Sequence, residues 1–380
     1  MSASIEAGLH RPRARPGKGR SFLRSGGWIV VVAVGIATVA FSFYVAGLLR
    51  NRPPRAPGDG RHVESYGFAL TPCLVRRDLL VAAGMPRDGL AALTDPPASS
   101  PAHADAATTP RSKFLVPGDR VVGVRLGGEA RCYPLRLLVW HEVVNDTLGG
   151  ERIAVTYNPL TDSAVAFRSG WRGQRLAFGV SGLLYQSNLV MYDRRPGGAG
   201  ESLWSQLEMR AIAGPAAAAA RTLEPLPISV ESWGEWRRDN PDTTVLAPDP
   251  RLTDQYASDP YTSYFGSDEL RFPVAPLPPS PRAPLKTPVV AVGAPGRWVA
   301  FPFPTVAALL AAGKTPAGAA REAWAALSYR SMPPTVAVDA RRLTPGVAVV
   351  YAASFAWFAT HDRDTLWVRG DGSVTTLAPP

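Results

Sequence analysis

The sequence predicts a β-rich α+β body behind a single N-terminal transmembrane helix, with the extracytoplasmic body built of two β units that are candidates for duplication. Three observations carry that class. An uncharged run of 22 residues, Trp28 to Leu49, precedes every segment with strand grammar. Short valine-rich segments separated by Gly-Gly and proline signals dominate the chain beyond that run, as strands joined by tight turns require. Prolines number 38 and charged residues make only 19% of the 380-residue chain, a composition that favours strands and loops over long helices. The 46% apolar content supplies cores and excludes wholesale disorder.

The N-terminal elements come first. Residues 1–27 form a basic tail. Residues 28–49, at about 1.5 Å per residue, are long enough to cross a hydrocarbon core of about 30 Å. A cleaved secretory signal is the alternative, but its apolar core is normally shorter. Six basic residues precede the run and four follow it, which predicts a single-pass inner or plasma membrane protein with a cytoplasmic N-terminus and an extracytoplasmic body. The membrane is then a partner through residues 28–49, and a membrane protein or another envelope component is a further candidate. Residues 50–61 read as a linker. Ten basic residues against Glu6 and Asp59 place +8 of the net +10 within residues 1–61. The remaining chain is nearly neutral and lacks the many phosphate contacts that drive nucleic-acid affinity, so no nucleic acid is expected.

The body divides at a proline-rich joint, 275–288, into a main domain over 62–274 and a smaller β-rich, repeat-like domain over 289–380. In the first, Val122, Val124 and Leu126 lead to Gly127-Gly128 and a second run ending at Tyr133, a hairpin. Pro134 then opens a helix predicted to run through LRLLVWHEVVND and stop at Asn145-Asp146. Strands come after Gly149-Gly150 at Ile153 to Tyr157, Ala164 to Phe167, Leu176 to Val180 and Leu189 to Tyr192, with a short helix over Ser232 to Arg238. An echo occurs 168 positions on: Val121-Val122-Gly123-Val124 matches Val289-Val290-Ala291-Val292, Gly128 matches Gly296, and Tyr133-Pro134 matches Phe301-Pro302. Further along, Ser163–Phe167 resembles Ser354–Phe358. The two cysteines, Cys73 and Cys132, either pair or remain as buried thiols, and neither belongs to a C-x-x-C.

Polar residues cluster at His141, Glu142, Asn145 and Asp146, which the predicted helix places in two adjacent rows one turn apart, and again in TYNPLTDSA from Thr156 to Ala164. The segments GMPRDGLAAL, VVGVRLGGEARCYPL, WHEVVND, VTYNPLTDSAVAF, FGVSGLLYQSNLVMYD, SLWSQ and DPYTSYF, in order from about 75 to 300, resemble the bacterial and archaeal family called domain of unknown function 3179 (DUF3179). The resemblance implies an uncharacterised protein, often with an N-terminal membrane or lipid anchor. Members typically read Tyr-Cys-Pro-Leu-Cys where this chain reads Tyr157-Asn158-Pro159-Leu160-Thr161. Asparagine and threonine neither bind soft metals nor cycle as thiols, so any thiol chemistry of the family is absent here.

Each chemical reading has a bland rival. His141-Glu142 starts a zinc helix, but Asn145 stands where the second histidine belongs, so no metal and no cofactor are assigned. Ser181 or Ser187 lacks a nucleophile elbow. Glu142, Asp146 and Asp162 suit a carboxylate pair or simply solvate a loop. Trp140, Trp171, Trp204, Trp233, Trp236 and Tyr185 suit a groove or a core. His141 and Glu142 also suit plain backbone hydrogen bonding, with Asn145 ending the helix. The expectation is a binding or scaffolding subunit with His141, Glu142, Asn145, Asp146, Tyr157, Asn158, Asp162 and Ser181 in one polar cleft and no catalytic residue assigned. The alternative is an enzyme or metal-dependent protein using the same cleft.

Overall fold

The computed structural model describes residues 57–102, 107–109, 112–171, 174–279 and 284–376, together with scattered positions between 29 and 42. Among the described residues no helix is long and apolar enough to cross a membrane, which overturns the spanning helix expected over 28–49. Ile29, Val31, Val34 and several positions up to Ser42 are helical, with the Thr38 hydroxyl donating to the Val34 carbonyl, and the rest of that stretch lies outside the described residues, as do the basic tail and most of the linker. The extracytoplasmic placement that rested on this helix has no support from the fold.

Residues 56–380 form one compact unit. Its strands and helices begin with β1 (Leu80–Ala82), β2 (Leu93–Thr94), β3 (Arg120–Leu126), β4 (Glu129–Pro134) and α1 (Leu135–His141). Then come β5 (Val143–Leu148), β6 (Glu151–Asn158), β7 (Ser163–Arg168), β8 (Phe178–Tyr185), β9 (Asn188–Asp193), β10 (Leu203–Ser205) and β11 (Arg210–Ala213). They are followed by β12 (Ile228–Ser232), α2 (Trp233–Asp239), β13 (Thr244–Leu246), α3 (Thr253–Tyr256) and α4 (Thr262–Phe265). The C-terminal part holds β14 (Pro288–Ala294), β15 (Arg297–Pro302), α5 (Phe303–Ala311), β16 (Leu327–Ser331), β17 (Pro334–Val338), β18 (Ala348–Ala353), α6 (Ser354–His361), β19 (Thr365–Val368) and β20 (Val374–Thr376).

The predicted helix through Asp146 is shorter than expected. It ends at His141, because Glu142 turns to φ +53° and ψ −31° and the β-branched pair Val143-Val144 prefers a strand. Residues 143–148 instead pair antiparallel with β6, closed at Gly149-Gly150, both with positive φ. A side chain at Gly149 would meet the Leu126 carbonyl oxygen at 2.3 Å, so the two Gly-Gly turns pack on each other only without Cβ atoms. His141 and Asn145 therefore do not share a helical face.

Three sheets organise the unit. A 10-stranded sheet runs β2-β5-β6-β7-β18-β14-β15-β19-β20, with Glu224–Pro225 paired on β7. A second carries β1-β8-β9-β10-β11, and a third β12-β3-β4-β13 with Ala98–Ser99 at its edge. Strands β3, β6, β8 and β14 are buried on both faces, which is why they read as near-continuous apolar runs rather than strict alternation. The 10-stranded sheet crosses the joint expected at 275–288, joining β7 to β18 where Ala164 faces Tyr351.

Strand pairing makes the internal echo concrete. Val121 pairs with Pro134 and Val289 with Pro302 in the same hairpin register, each hairpin followed at once by a helix. The outer strands match as well. Strand β12 runs antiparallel to β3 with Glu231 opposite Val121, and β18 runs antiparallel to β14 with Ala352 opposite Val289. Each outer strand leads into a helix and then a strand parallel to the hairpin's second strand. The Trp236 indole N–H donates to the Thr243 hydroxyl at 2.8 Å, and Trp357, at the same place in α6, donates to Thr365 at 3.1 Å. The resemblance of Ser163–Phe167 to Ser354–Phe358 does not survive, since the first is strand β7 and the second helix α6. The structural counterpart of 354–361 is α2.

Candidate functional site

The eight residues expected in one cleft separate into distinct settings. His141 is buried, and its Nδ1–H donates to the Ala91 carbonyl at 2.7 Å. A carbonyl can only accept, so in the neutral ring Nε2 accepts from the Tyr256 hydroxyl at 2.7 Å. Burial holds the imidazole pKa below its ordinary value. Both nitrogens are thus engaged, leaving none for a metal or a substrate proton. Asn145 accepts from the Phe178 N–H and donates to the carbonyls of Leu93 and Phe178, clamping β2 and β8 to β5. Asp146 accepts from Arg131 at 2.7 Å, from the Tyr133 hydroxyl and from the Thr147 N–H. Asp162 receives Arg120 through both guanidinium ends at 3.1 Å and the Tyr157 hydroxyl at 2.9 Å. The Ser181 hydroxyl donates to the Val190 carbonyl and accepts from the Leu183 N–H within the irregular pairing of β8 and β9, a structural role.

Glu142 and Asn158 are the pair that meets. Asn158 lies at the end of β6 and donates through Nδ2 to Glu142 Oε1 at 3.0 Å. Its Oδ1 accepts from Thr161, whose hydroxyl lies 2.9 Å from Ser163, and the chain of hydrogen bonds continues through Asn188 and Gln206 to Thr156. All of these side chains are buried. The neighbourhood expected between His141 and Asn158 is replaced by this contact with Glu142, and both residues are sealed from solvent. Asn158 and Thr161 hydrogen-bond each other through their side chains across the β6–β7 turn.

The Glu142 carboxyl borders a cavity of about 170 Å³ walled by Leu160, Val180, Leu183, Leu184 and Phe272, with Tyr261 and Arg271 also on its lining. Burial pushes the Glu142 carboxyl up to about 7, against which the Asn158 hydrogen bond works only partly. Burial, reinforced by the nearby Glu142 charge, pushes the Tyr261 phenol up to about 12. Arg271 stacks its guanidinium over Tyr264 at 4.9 Å and Tyr261 at 6.0 Å and is in none of the described ion pairs. The backbone at Glu142 lies in a region that costs a non-glycine residue on the order of 1–3 kcal/mol, and such strain gathers at functional sites. Its place seven residues past the start of α1 corresponds to Leu310 in α5, which is an ordinary helical residue there. At that place α5 continues as helix and Leu310 is exposed, so the turn and the buried acid at Glu142 are particular to the first hairpin.

Sequence reasoning missed Tyr261, Arg271 and Leu160 as site members. The segment DPYTSYF already carried Tyr261, but nothing in the chain order says that α4 folds against a loop a hundred residues away. Cys73 and Cys132 are both free thiols, and burial raises Cys132 well above its usual range. Among the described residues no three His, Cys, Asp or Glu side chains gather as a metal-binding group. Of the aromatic candidates, Trp204 and Trp233 are core residues and Trp236 is buried.

A family model described as protein of unknown function (DUF3179) matches residues 87–376. The matched span takes in both copies of the repeated unit, further than the motifs from 75 to 300 reach. No curated protein and no solved structure matches the chain.

Proposed function

We propose, from the premise that this chain belongs to the DUF3179 family, that it is a binding protein which holds a small, partly apolar molecule against Glu142. The observation that carries this reading is a buried carboxyl with a single described hydrogen bond, on strained backbone, in a residue that lines a cavity of about 170 Å³. Burying an acid without an ionic partner is costly. A ligand that supplies a donor to the second carboxyl oxygen, and apolar surface to Leu160, Leu183 and Phe272, offsets that cost. Binding is favoured over scaffolding because Glu142 lies in a concave cavity rather than on a flat surface patch.

The alternative, an enzyme, draws on one specific observation. A carboxyl raised to about 7 is matched for proton exchange near neutral pH, with the Tyr261 phenol nearby as a second proton carrier. His141 has no part in either reading, since both its nitrogens are engaged.

The test is a thermal-shift screen of small alcohols, amides and amines on the wild-type chain, repeated on Glu142→Gln and Ala83→Leu. The first substitution keeps an acceptor for Asn158 and removes the titrating oxygen, and the second fills the cavity from its rim. Compounds that raise the melting temperature of the wild type but not of either variant support the reading. Shifts that persist in both variants place binding elsewhere and refute it.

A further inference from the structure

A second buried carboxyl stands apart from this site. Glu231, on β12, is only 6% exposed and accepts a hydrogen bond from the Ser229 hydroxyl at 2.7 Å. It lies on the wall of a cavity of about 300 Å³ between β12 and α2 on one side and the β16–β17 hairpin with the Asp339–Arg342 turn on the other. The Trp236 indole forms another wall. It reaches that position because Gly123 has no side chain, and a Cβ there would fall 2.2 Å from the indole ring.

Most of the charge on this lining is paired, with Arg341 and Arg342 sharing one aspartate. Arg330 pairs with Glu235 at 2.7 Å, Arg341 with Asp339 at 2.7 Å, Arg125 with Asp242 at 3.8 Å, and Asp239 is taken by Arg238 at 2.8 Å. Arg342 shares Asp339 at 3.5 Å. Glu231 is in none of the described ion pairs. Burial above all, and then the charges of Asp239 and Glu235, push its carboxyl up to about 7, while the Ser229 hydrogen bond and Arg330 oppose them. Its register partner in the second copy is Ala352, so the fold does not need an acid at this position.

We infer that the cavity between β12 and the β16–β17 hairpin is a binding site for a small organic cation, a primary ammonium or a guanidinium, with Glu231 as its counter-ion and Trp236 as its aromatic wall. A carboxylate and an indole are two groups that recognise such a cation, one by charge-assisted hydrogen bonds and the other through its ring quadrupole. The incoming charge supplies a direct ionic partner, which none of the described ion pairs gives Glu231. The site is separate from the Glu142 cavity, and neither proposal depends on the other.

The experiment is isothermal titration calorimetry of the full chain with methylguanidinium and with propylammonium, at about pH 8 where the carboxyl is ionised. Acetate serves as the anion probe. Expected is one-to-one binding of at least one cation, weakened about tenfold or more in Glu231→Gln and lost in Ser328→Trp, which fills the cavity from β16. Glu142→Gln should leave this binding unchanged. The proposal is overturned by an absence of binding for both cations, by equal affinity in Glu231→Gln, or by acetate binding in their place. If Glu231→Gln fails to melt cooperatively, Ser328→Trp decides: retained cation binding in that variant overturns the site, and its loss with a wild-type melt supports it.

Discussion

Replacing Glu142 by glutamine removes a carboxyl whose affinity for its proton is raised by burial. In the folded chain burial lifts its carboxyl from 4.5 to about 7, and on unfolding it returns to the ordinary glutamate range. Between those two values the folded state binds more protons than the unfolded state, so stability falls as pH rises. At about 1.4 kcal/mol for each tenfold change in proton affinity, the rise corresponds to roughly 3 kcal/mol. That cost is absent below about pH 4, grows through neutrality and is complete above about pH 8. Glutamine keeps an acceptor for Asn158 Nδ2 and carries no proton to lose. Glu231 moves in the same direction, but it is present in both proteins and cancels in their difference. Urea denaturation of wild type and Glu142→Gln across this range should show the variant gaining on the wild type as pH rises, by roughly 3 kcal/mol between about pH 4 and pH 8. A difference that stays constant with pH would refute the assignment of a buried, ligand-free carboxyl at this position.

Further predictions concern the groups that frame the two cavities. His141→Ala takes from the Ala91 carbonyl its imidazole donor and from the Tyr256 hydroxyl its imidazole acceptor, and should lower stability by about 1–3 kcal/mol in chemical denaturation; an unchanged midpoint would show that the imidazole is not a buried strut. Gly123→Ala drives a methyl into the Trp236 ring and should cost about 1–3 kcal/mol, with a change in tryptophan fluorescence as the indole is displaced. Asp146→Ala strands the half-buried Arg131 guanidinium and the Tyr133 hydroxyl and should destabilise by about 3–5 kcal/mol, read as a fall in melting temperature.

Much of the local structure was legible in the chain. Gly127-Gly128 and Gly149-Gly150 announce hairpins because positive φ at two successive residues is a glycine signature. Ser232 announces α2, and its hydroxyl indeed accepts from the Glu235 N–H. The spacing of the valine runs and of Tyr-Pro and Phe-Pro matched the hairpin that recurs in register. The end of α1 was misplaced because periodicity through LRLLVWHEVVND does not weigh Val143-Val144 pairing with β6 against one more helical turn. The apolar run at 28–49 had the length of a membrane span, yet length and hydropathy alone carried that reading.

The candidate site was legible only in its parts. Glu142 and Asn158 were both marked, but with His141 as the expected neighbour, since a helix running through Asp146 places His141 beside Asn145. Once the chain turns at Glu142, the imidazole points to Ala91 and Tyr256 and the carboxyl to Asn158. Residue types, turn chemistry and the repeat are properties of short stretches, so the sequence by itself determined them. Which acid is buried without an ion partner depends on segments far apart in the chain, Tyr261 and Arg271 beside Glu142 and the β16–β17 hairpin beside Glu231. Desolvation is set by whatever packs around a group, and only the tertiary structure decided that.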